Sequence, residues 1–289
     1  MARLFVLIWL SLFLTSQLAI FTNFMQFFSQ LAIQEQIFFL AIFALIFGSF
    51  ASLISYRLAN KQPIVFTRSK CVNCGIALRI RNLIPLFSWI FQRGKCGNCH
   101  SKISGRYPLI ELSFLITFLV IFFALKQQLD LKMILFFLIA GTLIVMCVID
   151  LEQYFIPDST QYFLTILAAI LVITEGGNEA VLANVKSAFL YAGFGLALLA
   201  FFYFTAKLEA IGIDDIKFFF ITGFMLGSKN FLTFMMLSGF CGLIFGSLWQ
   251  KIKQEETFPF APAICFSAFV CLLFGKKLDV VELLGSLIF

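Results

Sequence analysis

What most constrains this chain is that apolar runs of bilayer-crossing length recur along nearly its whole length, with few charges inside them. Hydrophobic residues make up 61% of the chain and charged residues 12%. A soluble domain carries about 25% charged residues and needs that polar surface to stay dissolved. The runs therefore predict an all-α polytopic membrane protein of about eight transmembrane helices.

The expected order starts with an apolar run at Leu4–Phe21 behind Arg3, similar to the start of a signal peptide but with no small-x-small cleavage site after it. Spans are expected at Ile37–Tyr56, Tyr107–Leu125, Lys132–Ile149, Gln161–Thr174 and Ser187–Thr205. A hairpin over Phe218–Trp249 follows, turning at Gly227-Ser228-Lys229-Asn230. Phe260–Phe274 is a further span, and the apolar tail after Asp279 is a candidate for another. The domain reading is an apolar extension over 1–35, a first span over 36–56, a polar loop over 57–106 and a membrane domain over 107–289.

Between Arg57 and Arg106 stand ten Lys or Arg residues and no Asp or Glu. A basic loop between spans marks the cytoplasmic side. Its charge is read as a topology signal and as balance for nearby thiolates. Contact with membrane lipid is expected, and no nucleic acid. On this topology the polar segments 150–158 and 207–217 fall on the same face as the basic loop.

That loop holds four of the eight cysteines, as Cys71-Val-Asn-Cys74, 21 residues, then Cys96-Gly-Asn-Cys99. Two such hooks can surround one tetrahedral ion with four thiolates, near the usual zinc spacing. Gly75 and Gly97 suit the tight turns. A closed site of this kind is structural Zn2+ and does no chemistry itself. Two disulfides or a dithiol pair are the competing readings, and a cytoplasmic placement argues against stable disulfides. Cys147, Cys241, Cys265 and Cys271 lie singly in apolar runs and read as small hydrophobes.

Catalytic options are few. The one His, His100, lies beside Cys99, which leaves Ser-His-Asp and Cys-His chemistry without a base. There is no His-Glu-x-x-His pattern, no Gly-x-Ser-x-Gly elbow and no glycine-rich phosphate loop. The 15 acids are sparse, yet five fall in two short segments at span ends: Asp150, Glu152 and Asp158, then Asp214 and Asp215. A carboxylate at the edge of a span is costly unless paired, hydrated or functional. One acid from each segment would make a dyad able to activate water. Helix capping fits the same residues, with Asp158 or Ser159 before one helix and Asp214 or Asp215 before the next. Both readings stand on the residues alone, and Glu152 reads as solvated.

The ordered motifs resemble those of the prepilin peptidase family. They are Gly48-Ser49-Phe50, Tyr56-Arg57-Leu58, Arg68-Ser69-Lys70-Cys71, Asn82-Leu-Ile-Pro85 with Ser88-Trp89, and Arg93-Gly94-Lys95-Cys96. Ser104-Gly-Arg106-Tyr107-Pro108-Leu-Ile-Glu111, Asp150 with Ile156-Pro157-Asp158, and Gly212-x-x-Asp215-x-Lys217 complete the set, which covers about 48–260. The resemblance implies an aspartic endopeptidase with Asp150 and Asp215 as catalytic residues. It implies cleavage of prepilins or type II secretion pseudopilins after a Gly, at the cytoplasmic face of the bacterial inner membrane. It further implies N-methylation of the new N-terminus with S-adenosylmethionine, with Glu111 as the candidate residue for methyl transfer.

Three departures are visible. Asp214 stands where the family motif carries its second Gly, which puts a third carboxylate beside the dyad. Val72 replaces a Pro in the first hook. The N-terminus is long, and Met25 would place Gly48 at the family's usual distance from the start. A reading from a different class is a membrane scaffold, or a proton- or ion-coupled transporter, with a partner-docking zinc loop; a transporter would hold its acids near mid-membrane.

Overall fold

The computed structural model describes residues 22–63, 68–127, 129–207, 211–254 and 257–275. The apolar run Leu4–Phe21 and the tail after Asp279 lie outside the described residues. A helical stretch over 22–30 leads into α1 (Ile33–Ala59). The side-chain amide of Gln36 joins them, donating to the carbonyls of Phe28 and Leu31, both at 3.1 Å, and so satisfies acceptors at a helix end.

After the basic loop, which contains the short α2 (Phe87–Phe91), come α3 (Arg106–Ala124) and α4 (Leu131–Gln153). Asp130 starts α4 by accepting from the Met133 amide at 2.7 Å. Expectation placed Asp150 in a loop, but the helix runs on through Gln153 and ends where Tyr154 turns left-handed at φ 58°. Leu151, Glu152 and Gln153 are all good helix formers, and Pro157 is the nearest residue that excludes helix.

Helix α5 spans Asp158–Ala206 and is broken at Gly177, whose φ of 63° and ψ of −162° only glycine adopts freely. The chain reverses there. Glu175 in the first arm pairs with Lys132 at the start of α4, whereas Gln161 lies beside Asp214. In the second arm Asn184 donates to the Phe224 carbonyl at 2.8 Å. The two arms answer to the expected spans at Gln161–Thr174 and Ser187–Thr205.

Helix α6 (Ile213–Leu226) packs along the second arm, where a Cβ on Gly223 would come within 2.8 Å of the Ser187 carbonyl. Small residues at such crossings let helices approach closely in membranes. Gly227, at φ 74°, makes the expected turn through Ser228–Asn230 into α7 (Phe231–Lys253), and α8 (Ala261–Phe274) follows with Pro262 in its first turn.

Among the described residues, five helices are long and apolar enough to cross a membrane: α1, α3, α4, the broken α5, and α7 with the turn before it. Among the described residues no strand forms beyond two isolated bridges in the basic loop. Helix α4 is central. It is 61% buried over its apolar window, against 28% for α1, and packs on α1, α3, α5 and α8. Helix α8 also packs on α6, so it ties the end of α4 to the start of α6.

Candidate active site and metal centre

That tie sets the position of Asp150. Its side chain is buried in the last turn of α4, and Oδ2 accepts from the Ala261 amide at 2.8 Å. Ala261 opens α8, so the carboxylate meets an N–H that has no partner inside its own helix. Capping is real here, but it acts on a helix 111 residues away in sequence rather than on the next one.

Asp215 sits in the first turn of α6, half-buried, and its Oδ2 accepts from the Gly212 amide at 3.2 Å. The Asp150 charge acts on Asp215, and the Asp214 charge acts on Asp150, so the acids from the two segments share one electrostatic neighbourhood. Asp214 has a different partner. Its Oδ1 lies 2.9 Å from Lys217 Nζ, and the same ammonium holds Asp158 Oδ1 at 2.8 Å. Asp158 is therefore an ion-pair partner instead of the expected cap, and Pro157 occupies the N-cap position of α5.

The basic loop closes into two matching hooks. Lys70-Cys71-Val72-Asn73-Cys74 and Lys95-Cys96-Gly97-Asn98-Cys99 are a five-residue repeat that spacing between cysteines alone does not reveal. In each hook the first cysteine's amide donates across the turn at 2.9 Å, Cys71 to the Ile76 carbonyl and Cys96 to that of Ser101. The left-handed residue is Gly75 in one hook and His100, at φ 57°, in the other. Gly97 lies inside the second turn and keeps a negative φ. The exposed His100 therefore shapes the turn, while the four sulfurs converge without it.

All four Sγ atoms lie within 4.8 Å of one another, and Cys71 and Cys99 are 3.9 Å apart. Sulfurs about 2.3 Å from a tetrahedral ion would stand about 3.8 Å apart, so the four thiols fit a metal ion. The Ser101 hydroxyl, 3.1 Å away, and the Ser101 amide bring the Cys99 thiol down to about 6. The amides of Cys74 and Asn73 lower Cys71 as well. Both shifts favour the thiolates that metal binding needs.

A cavity of about 1660 Å³ separates this loop from the ends of α1 and α3. Seven Lys or Arg residues line it against one acid, Glu111. Glu111 is buried, and its Oε2 accepts from the Leu86 amide at 2.7 Å. Leu86 has φ 60° and ψ −55°, with Phe87 N 2.6 Å from the Pro85 carbonyl, a tight three-residue turn that non-glycine residues rarely adopt. Gly48 brings α1 against this site, since a Cβ there would sit 2.8 Å from Glu111 Cα.

Arg106 stands in one of the motifs, but reading from sequence gave it no role of its own. Its guanidinium donates to the Ser52 carbonyl at 3.0 Å and to Ser55 Oγ at 2.8 Å, and it pairs with Glu152. It also lies within 6 Å of the ring centres of Tyr56 and Tyr107. Glu152 is thus paired, although it read as solvated. The available signal was an Arg at the junction of the loop and α3, an acid two residues after Asp150, and Ser52 and Ser55 in α1.

An all-helical membrane protein with carboxylates gathered at one end of its bundle, beside a four-thiol loop, has the outline of a membrane aspartic protease. The family models agree. "Bacterial Peptidase A24 N-terminal domain" matches residues 42–125, and "Type IV leader peptidase family" matches residues 137–247. The "Prepilin leader peptidase/N-methyltransferase" of Bacillus subtilis (strain 168) is 32% identical over 83% of this chain and 94% of that protein. The protein of the same name from Pectobacterium carotovorum is 28% identical over 75% of this chain and 85% of its own length. The "Type 4 prepilin-like proteins leader peptide-processing enzyme" of Escherichia coli is 27% identical over 76% of this chain and 87% of its own. The chain belongs to the type IV leader peptidase family and is an aspartic peptidase. No solved structure matches it at a significant level.

Proposed function

We propose that this enzyme removes the leader of type IV prepilins or type II secretion pseudopilins after a Gly, using Asp150 and Asp215 to activate water. The observation that carries this reading is the way the acids divide. Lys217 pairs with Asp214 and Asp158, whereas among the described residues Asp150 and Asp215 accept only backbone N–H bonds. Two neighbouring carboxylates cannot both ionise easily, so they share a proton. The ionised member takes a proton from water, which attacks the scissile carbonyl. The protonated member donates to the carbonyl oxygen and stabilises the charge that forms there.

Counting α5 as two spans and adding α6 and α8 makes eight spans. The basic loop supports a reading in which the acidic end lies at the cytoplasmic face of a bacterial inner membrane. The four cysteines are a structural Zn2+ site that shapes the loop over 57–106, and the peptidase domain is 107–289. Carboxylates at helix ends, not at mid-span, weigh against a transporter.

The relatives' names and the cavity support a second activity, N-methylation of the newly exposed N-terminus. S-adenosylmethionine would supply the methyl group as an electrophile. Glu111, the one acid in a cationic lining, fits a cationic group, and Trp89 offers an aromatic face. Basic residues of the lining other than Arg106 would hold a carboxylate.

Cleavage of a candidate prepilin by wild type, Asp150→Asn and Asp215→Asn tests the peptidase reading. Both variants should insert and fail to cut, and normal cutting by either removes it from the dyad. Transfer of labelled methyl to mature pilin, with Glu111→Gln as the comparison, tests the second activity.

A further inference from the structure

The two hooks of the cysteine loop reach into each other. Asn73 Nδ2 of the first hook points at Cys99 Sγ of the second, 3.8 Å away. Asn98 Nδ2 of the second points at Cys74 Sγ of the first, also at 3.8 Å. The two contacts are related by exchanging one five-residue repeat for the other. A thiolate accepts and does not donate, so the amide nitrogen, not the oxygen, faces it. We propose that Asn73 and Asn98 cross-brace the two hooks, each donating to a thiolate of the other, and thereby set how slowly the loop releases its metal.

This inference rests on reading the four cysteines as a metal site and goes beyond it. Four thiolates around a divalent ion leave a net charge of −2. Each hydrogen bond to sulfur withdraws part of that charge and holds the ligand in place, and losing such a partner costs about 10–100-fold in metal affinity. Both Asn side chains are exposed, so they fill no core, and removing them leaves no cavity. The sulfurs are not equally served. Cys99 has the Ser101 hydroxyl as well as Asn73, while the matching position in the first hook is Ile76. Loss of Asn98 therefore harms Cys74 more than loss of Asn73 harms Cys99.

The test uses the full chain purified in detergent, loaded with Zn2+ or Co2+. It follows transfer of zinc to a colorimetric chelator, with the cobalt–thiolate absorption bands reporting an intact four-sulfur site. Asn98→Ala should release zinc about tenfold faster than wild type, and Asn73→Ala should fall between the two. Asn98→Asp keeps the shape and replaces the donor by an acceptor, so it should release faster still. If both Ala variants stay within twofold of wild type, the cross-brace is wrong. It is equally wrong if Asn98→Asp matches wild type while Asn98→Ala is fast, because shape and not donation would then matter. A wild type that binds neither ion overturns the metal reading and this one together; a loaded wild type with unaltered variants overturns this one alone.

Discussion

The Asp150 carboxylate accepts the Ala261 amide at 2.8 Å, so one proposed catalytic acid also closes the start of helix α8. The two roles separate by substitution. Asn keeps an oxygen for the Ala261 amide but cannot ionise, whereas Ala leaves a buried N–H without a partner. Asp150→Asn should retain the wild-type thermal midpoint and lose cleavage. Asp150→Ala should lose cleavage and also about 1–3 kcal/mol of stability. Thermal unfolding in detergent beside a cleavage assay checks both. Equal midpoints for the two variants would show that the Ala261 contact carries no stability.

Lys217 divides its ammonium between Asp158 and Asp214, which leaves Asp215 without an ion-pair partner among the described residues. Asp214→Asn should therefore cut within a few-fold of wild type, whereas Asp215→Asn should not cut. The Lys217 pairs are about half exposed, so Lys217→Ala should change stability little. Asp158 and Asp214 would then be uncompensated, and Asp214 acts on both acids of the dyad. Cleavage should fall several-fold at low ionic strength and recover in part as salt screens them. A salt-independent Lys217→Ala rate would place this lysine outside the dyad's electrostatics.

The choice between Asp214 and Asp215 shows where sequence stopped being sufficient. Consecutive residues on a helix point about 100° apart, so which carboxylate faces Asp150 depends on how α6 rolls against α5 and α8. A motif can number the two acids but cannot set that roll. The five long apolar helices were legible because hydrophobic length is a local property, and so was the hairpin turn at Gly227. The end of α4 was misplaced because a polar residue after an apolar run was taken for a loop, although Asp150 is buried inside the helix. The thiol cluster was legible from spacing, whereas the contact between Asp150 and Ala261 joins residues that no local pattern connects.

Arg106 joins α1, α3 and the end of α4 through Ser52, Ser55 and Glu152. A lysine keeps the charge but lacks the planar fork needed to serve the Ser52 carbonyl, the Ser55 hydroxyl and the Glu152 carboxylate at once. Arg106→Lys should lower stability by about 1–2 kcal/mol, with Glu152→Gln costing less because that carboxylate is partly exposed. Thermal midpoints of the two variants check the order. A larger loss in Glu152→Gln would make the ion pair, and not the fork, the main restraint.

Gly48 sets the distance between α1 and α3 at the floor of the basic cavity. A Cβ there would lie 2.8 Å from Glu111 Cα and 3.2 Å from Phe114 Cβ. The first of these neighbours is backbone, so no side-chain rotation relieves the contact and the helices must part. Gly48→Ala should cost about 1–3 kcal/mol, as overpacking does elsewhere. The displacement falls on the residue that holds the Leu86 amide, while Asp150 lies on a different helix. Methyl transfer should therefore fall more steeply than cleavage in this variant. Parallel assays on one preparation measure the ratio, and an equal loss of both activities would mean that the α1–α3 contact supports the whole bundle and not the cavity in particular.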